Sequence, residues 1–408
     1  MAARMLMKKP TEQIMPLIKG AHIATMHCGQ KYKNRDDLLF MVFDAGTNVA
    51  GVFTQSLCPS APVDHCREIL PFGQARALVV NAGNANAFTG AVGAEAAKAV
   101  AAHAATVANC KAEEVYLAST GVIGEALNPA PILTALSNAV LEDGQDAWGK
   151  AAKAIMTTDT YPKYATRSLE LDGYKININA IAKGSGMIAP NMATMLCFIV
   201  TDVSISVPIL QSMLKKGVDK TFNNITVDSD TSTSDTILLF ATGQAAGVER
   251  ALADNEAELF YQALEDILQE LALSVVKDGE GATHLIKITV VGAVSDSSAK
   301  KIAFSIANSP LVKTAIAGND ANWGRVVMAV GKAGEKADRD KLSIFFGPFR
   351  IANCGVVDSS YKEQDVAEYM KNYQIEIKVD IGLGQGCAIV WTCDFTEEYV
   401  KINADYRS

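Results

Sequence analysis

The chain has 408 residues, 49% of them hydrophobic and 20% charged, with a formal net charge of −8. That length exceeds one typical core and calls for two subdomains or one large layered domain, and the composition excludes a disordered or low-complexity chain. The acidic balance, without any basic stripe carrying interleaved aromatics, excludes nucleic acid as the partner, although a local lysine can still govern a pocket for an anionic substrate.

The first ten residues, Met1 to Pro10, lack the apolar core of a secretion signal, and no apolar run is long enough to span a membrane. A cytoplasmic location with no membrane partner is therefore expected. Asp36–Asp44 reads as a short buried strand, a second begins at Gly51, and Arg76–Asn81 is a third. The last runs into residues 82–90, dense in Gly and Asn that accept unusual backbone angles. An alanine-rich run from Val92 to Ala108 predicts a helix closed near Asn109. Val115–Ser119 is the next strand, Thr120–Gly121 read as a turn, and Asn128–Pro129 as the cap and first position of a further helix. From the residues alone this is an ordinary strand-to-helix turn; backbone N–H groups at such a turn can also point at a developing oxyanion. Met156–Lys163 holds Thr157, Thr158 and Thr160 around Asp159, which reads as a solvated turn.

Tyr174–Ile181 and Met195–Val200 are strands, and the segment between them is too long and too specialised for a simple hairpin. Val207 to about Gly217 is a helix with Pro208 at its start. Residues 224–236 form a polar stretch whose Asp228 and Asp230 lack EF-hand spacing, leading into the strand Ile237–Ala241. Ala253–Val276 is a long amphipathic helix, followed by Glu280 between two glycines and the strand Leu285–Val291. Asn322 caps a further helix. Strands at Tyr373–Asp380 and Cys387–Cys393 flank a glycine-rich turn, and the chain closes at Asn403 to Ser408. The eight cysteines show no Cys-x-x-Cys and are expected to be reduced thiols. The five histidines form no i, i+4 pair, so no metal is expected, and no cofactor.

Lys183 to Met195 (Lys-Gly-Ser-Gly-Met-Ile-Ala-Pro-Asn-Met-Ala-Thr-Met) carries the chemistry. Gly184 to Ala189 imitates a dinucleotide-binding Gly-x-Gly-x-x-Ala, but that motif must open a helix, and Pro190 followed by a strand forbids one. Thr194 behind Ala193 in a glycine-rich bend is instead a place for self-cleavage: the hydroxyl attacks the preceding carbonyl, and water then releases an N-terminal Thr. Its free amine serves as base for its own hydroxyl.

This segment, together with blocks from about Gly20 to Ser408 in the same order, resembles the ornithine acetyltransferase (glutamate N-acetyltransferase) family of arginine biosynthesis. Ser229 and Ser234 stand where the family pattern has Gly and Asn. The resemblance implies α/β (α+β) layers in the αββα arrangement of the DmpA/ornithine acetyltransferase fold. It implies an alpha chain, residues 1–193, and a beta chain, residues 194–408, assembled as an α2β2 heterotetramer. It places Thr194 as nucleophile, Thr120 and Gly121 as the oxyanion hole, and Thr158 (before Thr157), Lys183, Thr194, Glu280, Asn403 and Ser408 around substrate. The implied reaction moves acetyl from N2-acetyl-L-ornithine to L-glutamate; whether acetyl-CoA also donates stays open. An aminopeptidase or amidase on the same nucleophile, or a non-catalytic amino-acid-binding relative, are the alternatives.

Overall fold

The structure, a computed structural model, describes residues 13–171, 173–189, 195–245 and 252–404. By packing, the chain divides into a larger unit spanning residues 10–223 and 230–275, and a smaller one containing residues 224–229 and 276–408.

The larger unit contains, in chain order, β1 (Ala21–Met26), β2 (Leu38–Phe43), β3 (Asn48–Phe53), α1 (Ala61–Ile69), β4 (Ala77–Asn84), α2 (Gly90–Ala108), β5 (Val115–Val122), α3 (Ala130–Ser137) and α4 (Gln145–Ala154). These are followed by β6 (Lys163–Leu171), β7 (Tyr174–Lys183), β8 (Leu196–Thr201), α5 (Val207–Lys220), β9 (Thr236–Ala241) and α6 (Asp254–Lys277). Two sheets result, ordered β1-β2-β4-β5 and β3-β9-β8-β7-β6. They meet face to face: Phe43 of β2 stacks on Phe240 of β9 with centroids 4.4 Å apart, and Tyr116 of β5 meets the same ring edge-on. Helix α2 covers the first sheet through Ala97, Ala101, Ala104 and Ala108, which recur at helical spacing and are buried. Asn109, at φ 50°, closes it by donating to the carbonyls of Ala105 and Thr106. On the far side Gln211 of α5 bonds both the N–H and the C=O of Gly51 in β3. The layers are therefore helix, sheet, sheet, helix, the mixed α/β arrangement expected.

Three local readings are corrected. Thr120 and Gly121 lie inside β5, not in a turn, because β5 goes on pairing with β4 beyond Ser119. The helix after Asn128 begins at Ala130 with Pro129 in the cap position; Asn128 still acts as a cap, its Oδ1 accepting from the Ala130 N–H at 3.1 Å. Helix α5 passes through Gly217 to Lys220, for Gly217 makes room for a neighbour rather than a stop: a Cβ there would lie 2.6 Å from Leu268 of α6.

The smaller unit holds β10 (Leu285–Ala293), α7 (Asp296–Ala307), α8 (Pro310–Ala317), α9 (Trp323–Gly331), β11 (Ser343–Phe346), β12 (Phe349–Asn353), β13 (Val356–Val357), α10 (Glu363–Tyr369), β14 (Gln374–Asp380), β15 (Gly386–Cys393) and α11 (Glu397–Ala404). Its sheet runs β13-β12-β11-β14-β10-β15, with the long central strands buried against α7 through Ile302 and Ile306. Asn322 caps α9 as expected, accepting from the Arg325 N–H.

Candidate active site

Strand directions, not sequence proximity, assemble the polar cluster of the larger unit. β7 runs antiparallel to both β6 and β8, while β8 and β9 are parallel. The C-terminal end of β7 therefore meets the N-terminal ends of β6, β8 and β9. Lys163, Lys183, Met195 and Asp235 gather at that end of the sheet, Lys163 pairing beside Ala182, Lys183 beside Leu196, and Leu196 beside Thr236.

Lys183, 4% exposed, donates from Nζ to the hydroxyls of Thr157 (2.8 Å) and Thr120 (3.2 Å). This second bond joins the end of β7 to β5 of the other sheet. Gly121 follows with φ +132°, and a Cβ on it would stand 2.2 Å from the carbonyl carbon of Gly83. Only glycine permits that approach, and the β4–β5 register slips at the same place, between Gly83 and Asn84.

The loop before β6 is not solvated. Asp159 is buried and its carboxylate is fully engaged: Oδ1 accepts from Lys163 Nζ (2.6 Å) and the Gly184 N–H (2.7 Å), Oδ2 from the Thr157 N–H (3.0 Å). Burial alone would raise its pKa, but Lys163, Lys183 and the Gly184 amide outweigh it and hold the carboxyl below the usual range. Asp159 thus fixes the loop bearing Thr157 and the start of the segment after Lys183 at once. Thr158 Oγ1 lies 2.7 Å from Ser185 Oγ. Of the two threonines, Thr157 touches Lys183 and Thr158 touches the glycine-rich segment.

In the smaller unit Glu280 is buried in the loop after α6, and its Oε2 accepts from Asn403 Nδ2 of α11 at 2.7 Å. A Cβ on Gly281 would meet the Tyr399 N at 2.7 Å, so the loop and the start of α11 are packed backbone against backbone. Ala193, Thr194 and Ser408 lie outside the described residues.

Asp159, Lys163, Ser185 and Asp235 were not singled out from sequence. Asp159 and Lys163 carry one usable signal, the i, i+4 spacing of opposite charges next to a buried strand; Asp235 carries none, because its neighbour comes from β8.

The larger unit is an αββα sandwich whose polar site lies at the strand ends of one sheet, beside the segment that leads to Thr194. A sequence profile of the ArgJ family matches residues 22–408. The arginine biosynthesis bifunctional proteins ArgJ of Mesorhizobium japonicum and Rhizobium meliloti are 60% and 59% identical to the chain over 398 residues, covering 97% of it and 96% of each relative. The solved ArgJ of Bacillus halodurans is 37% identical, with a TM-score of 0.47 over 50% of this chain and 95% of its own. The chain belongs to the ArgJ family.

Proposed function

We propose that the chain cuts itself between Ala193 and Thr194 and uses the new N-terminal threonine to move acetyl from N2-acetyl-L-ornithine to L-glutamate. Membership of the ArgJ family makes it an acyltransferase of arginine biosynthesis. The observation that carries the residue-level reading is the convergence of Lys183, Thr120, Gly121 and Met195, the residue bonded to Thr194, at neighbouring strand ends.

A threonine hydroxyl is too weak an acid to act unaided, whereas a free α-amino group has a pKa of roughly 7.7–8.0 and is partly neutral near pH 7. Before the cut that nitrogen is an amide and cannot serve as base, so cleavage and activation are one event. Acetyl passes to Thr194 Oγ, with the oxyanion held by backbone N–H groups at Thr120 and Gly121. Losing one such donor typically costs about 100- to 1000-fold in rate, ~3–4 kcal/mol. Ornithine leaves, glutamate enters and takes the acetyl, and the kinetics are ping-pong. Lys183, oriented by two hydroxyls, is the cation for a substrate carboxylate. Glu280, oriented by Asn403, is the partner for an amino group, with Thr157, Thr158 and Ser408 completing the substrate contacts.

The residue ranges 1–193 and 194–408 are then an alpha and a beta chain. β7 and β8 form one antiparallel ladder on either side of the cut, which holds the two fragments together after it. The reading includes an α2β2 assembly, a cytoplasmic location, and acetyl-CoA as a second acetyl donor, as the relatives' name "bifunctional" suggests. Among the described residues no helix is long and apolar enough to cross a membrane.

The test is a denaturing gel with intact mass, beside Thr194→Ala. Wild type should give fragments of 193 and 408 − 193 = 215 residues, and the variant a single 43.4 kDa chain without transferase activity. A single stable chain in both would remove the base from the mechanism. Acetylornithine consumed without glutamate would make the enzyme a hydrolase on the same nucleophile.

A further inference from the structure

The polar stretch at residues 224–236 has no part in the reaction just described, yet near its end stands Asp235, which directly precedes β9 and is 0% exposed. Parallel pairing of β8 with β9 brings Asp235 against Met195: its Oδ1 accepts the Met195 N–H at 2.9 Å, and one rung on the Thr236 N–H donates to the Met195 carbonyl. The Asp235 carboxyl is thus anchored to the peptide joining Met195 to Thr194. Its Oδ2, sealed from solvent, has no hydrogen-bond partner among the described residues. The groups that face the carboxyl are the Thr54 and Ser232 hydroxyls and the Lys183 ammonium. Thr54 spends its own proton on the Ser232 carbonyl at 2.6 Å. Burial pushes Asp235 well above the usual carboxylate range, against the pull of the Met195 amide, Lys183 and the Thr54 and Ser232 hydroxyls. A buried carboxyl oxygen left open calls for an explanation, and this one belongs to the carboxyl whose other oxygen holds the amide of Met195, the residue bonded to Thr194.

We propose that Asp235 is a positioning residue for Thr194 that also carries protons: one oxygen pins the peptide on the C-terminal side of the threonine, and the other serves the threonine nitrogen. The inference rests on Thr194 being the self-cleaving nucleophile. In the cut, a bond forms between Thr194 Oγ and the Ala193 carbonyl carbon, and the bond from that carbon to the Thr194 nitrogen breaks. The hydroxyl loses one proton and the nitrogen gains one. A neutral carboxyl carries this exchange by giving its proton to the departing nitrogen and taking the hydroxyl's. Water then hydrolyses the ester, its OH going to Ala193 and its H to Thr194 Oγ. In the cut enzyme the carboxyl passes its proton to the free amine and stands as the counter-ion of the Thr194 ammonium, which raises the pKa of that amine.

Asp235→Asn keeps an oxygen for the Met195 amide and removes the acid. Its cleavage, followed by intact mass over time, should be slowed about 100-fold, the lower end of general acid–base contributions. In the fraction that does cut, the acidic limb of kcat/KM should move to lower pH, since the amine loses its anionic neighbour and is neutral sooner. Wild-type cleavage by the variant overturns the proposal. Slowed cleavage with the limb unmoved also overturns it, leaving Asp235 a structural acceptor only. Asp235→Ser, smaller and uncharged, supplies the same two readouts should the Asn variant not fold. An uncut wild type would instead sink the Thr194 reading, so the two failures are told apart.

Discussion

Asp394 and Asp235 are both fully buried carboxyls at a strand end, one just after β15 and one just before β9. Asp394 is saturated: Oδ1 accepts from the Thr283 and His284 amides at 2.7 and 2.9 Å, Oδ2 from the Thr283 hydroxyl at 2.5 Å and His284 Nδ1 at 2.9 Å. Burial tends to raise its pKa, but His284 and Thr283 win and the group lies below its ordinary range. Among the described residues Asp235 takes one backbone amide, that of Met195, with the Thr54 and Ser232 hydroxyls beside it, and burial wins. Asp159 belongs with Asp394, its three donors including a buried lysine. Asp159 and Asp394 have donors on both oxygens; the Oδ2 of the carboxyl beside Met195 has none within hydrogen-bond geometry among the described residues. The difference separates two carboxylates that hold loops from the one proposed to act on Thr194.

The comparison is broken most severely at Asp159. Asp159→Ala removes the carboxylate that the fully buried ammonium of Lys163 and two amides bond to, and breaking such a pair from one side costs about 3–5 kcal/mol. Urea unfolding should show that loss. Asp394→Ala removes the acceptor for two amides and two side-chain donors; with each buried orphan costing about 1–3 kcal/mol, a loss of ~3 kcal/mol is expected. A change within 1 kcal/mol, in the same unfolding measurement, would mean that water reaches these donors. Lys183→Met removes the cation that joins Thr120 to Thr157, and should raise KM or abolish turnover; unchanged steady-state kinetics would remove Lys183 from the substrate site.

The smallest effect sharpens the contrast. Asp159 and Asp394 are depressed in the folded state, so the stability they contribute is present above the unfolded carboxylate pKa and is lost as pH falls through their folded values. Asp235 is raised, so the folded state holds its proton longer than the unfolded state does, and stability declines as pH rises from the unfolded pKa toward the folded one. In the uncut Thr194→Ala chain, where no Thr194 ammonium is present, Asp235→Asn abolishes that decline. The Tm of the double variant relative to Thr194→Ala should therefore rise between pH 5 and pH 8, by a few degrees at most for a chain this size. A double variant that is less stable at pH 8 than at pH 5, relative to Thr194→Ala, would show that Asp235 is ionised and paired before the cut.

Much of the larger unit is legible along the chain. Asp36–Asp44 contains β2, and Arg76–Asn81, Tyr174–Ile181 and Ile237–Ala241 cover most of β4, β7 and β9, because buried strands concentrate β-branched and aromatic residues in short runs. The alanine run of α2 and its Asn109 stop were equally plain. The loop at 156–163 was read as solvated since hydroxyls and a carboxylate normally seek water; Lys163 and the Gly184 amide reverse that, and Gly184 is distant in sequence.

What the sequence determined by itself was the periodic elements, the glycine-rich segment before Thr194, and the family, all of which are written in contiguous residues. Only the tertiary structure decided that Thr120 and Gly121 sit in a strand against Gly83, that Lys183 reaches from one sheet to a hydroxyl of the other, and that Asp235 faces Met195. Each of these depends on which strands pair and in which direction. Parallel pairing such as β4 with β5 and β8 with β9 joins segments that no turn connects, so no local pattern along the chain encodes it.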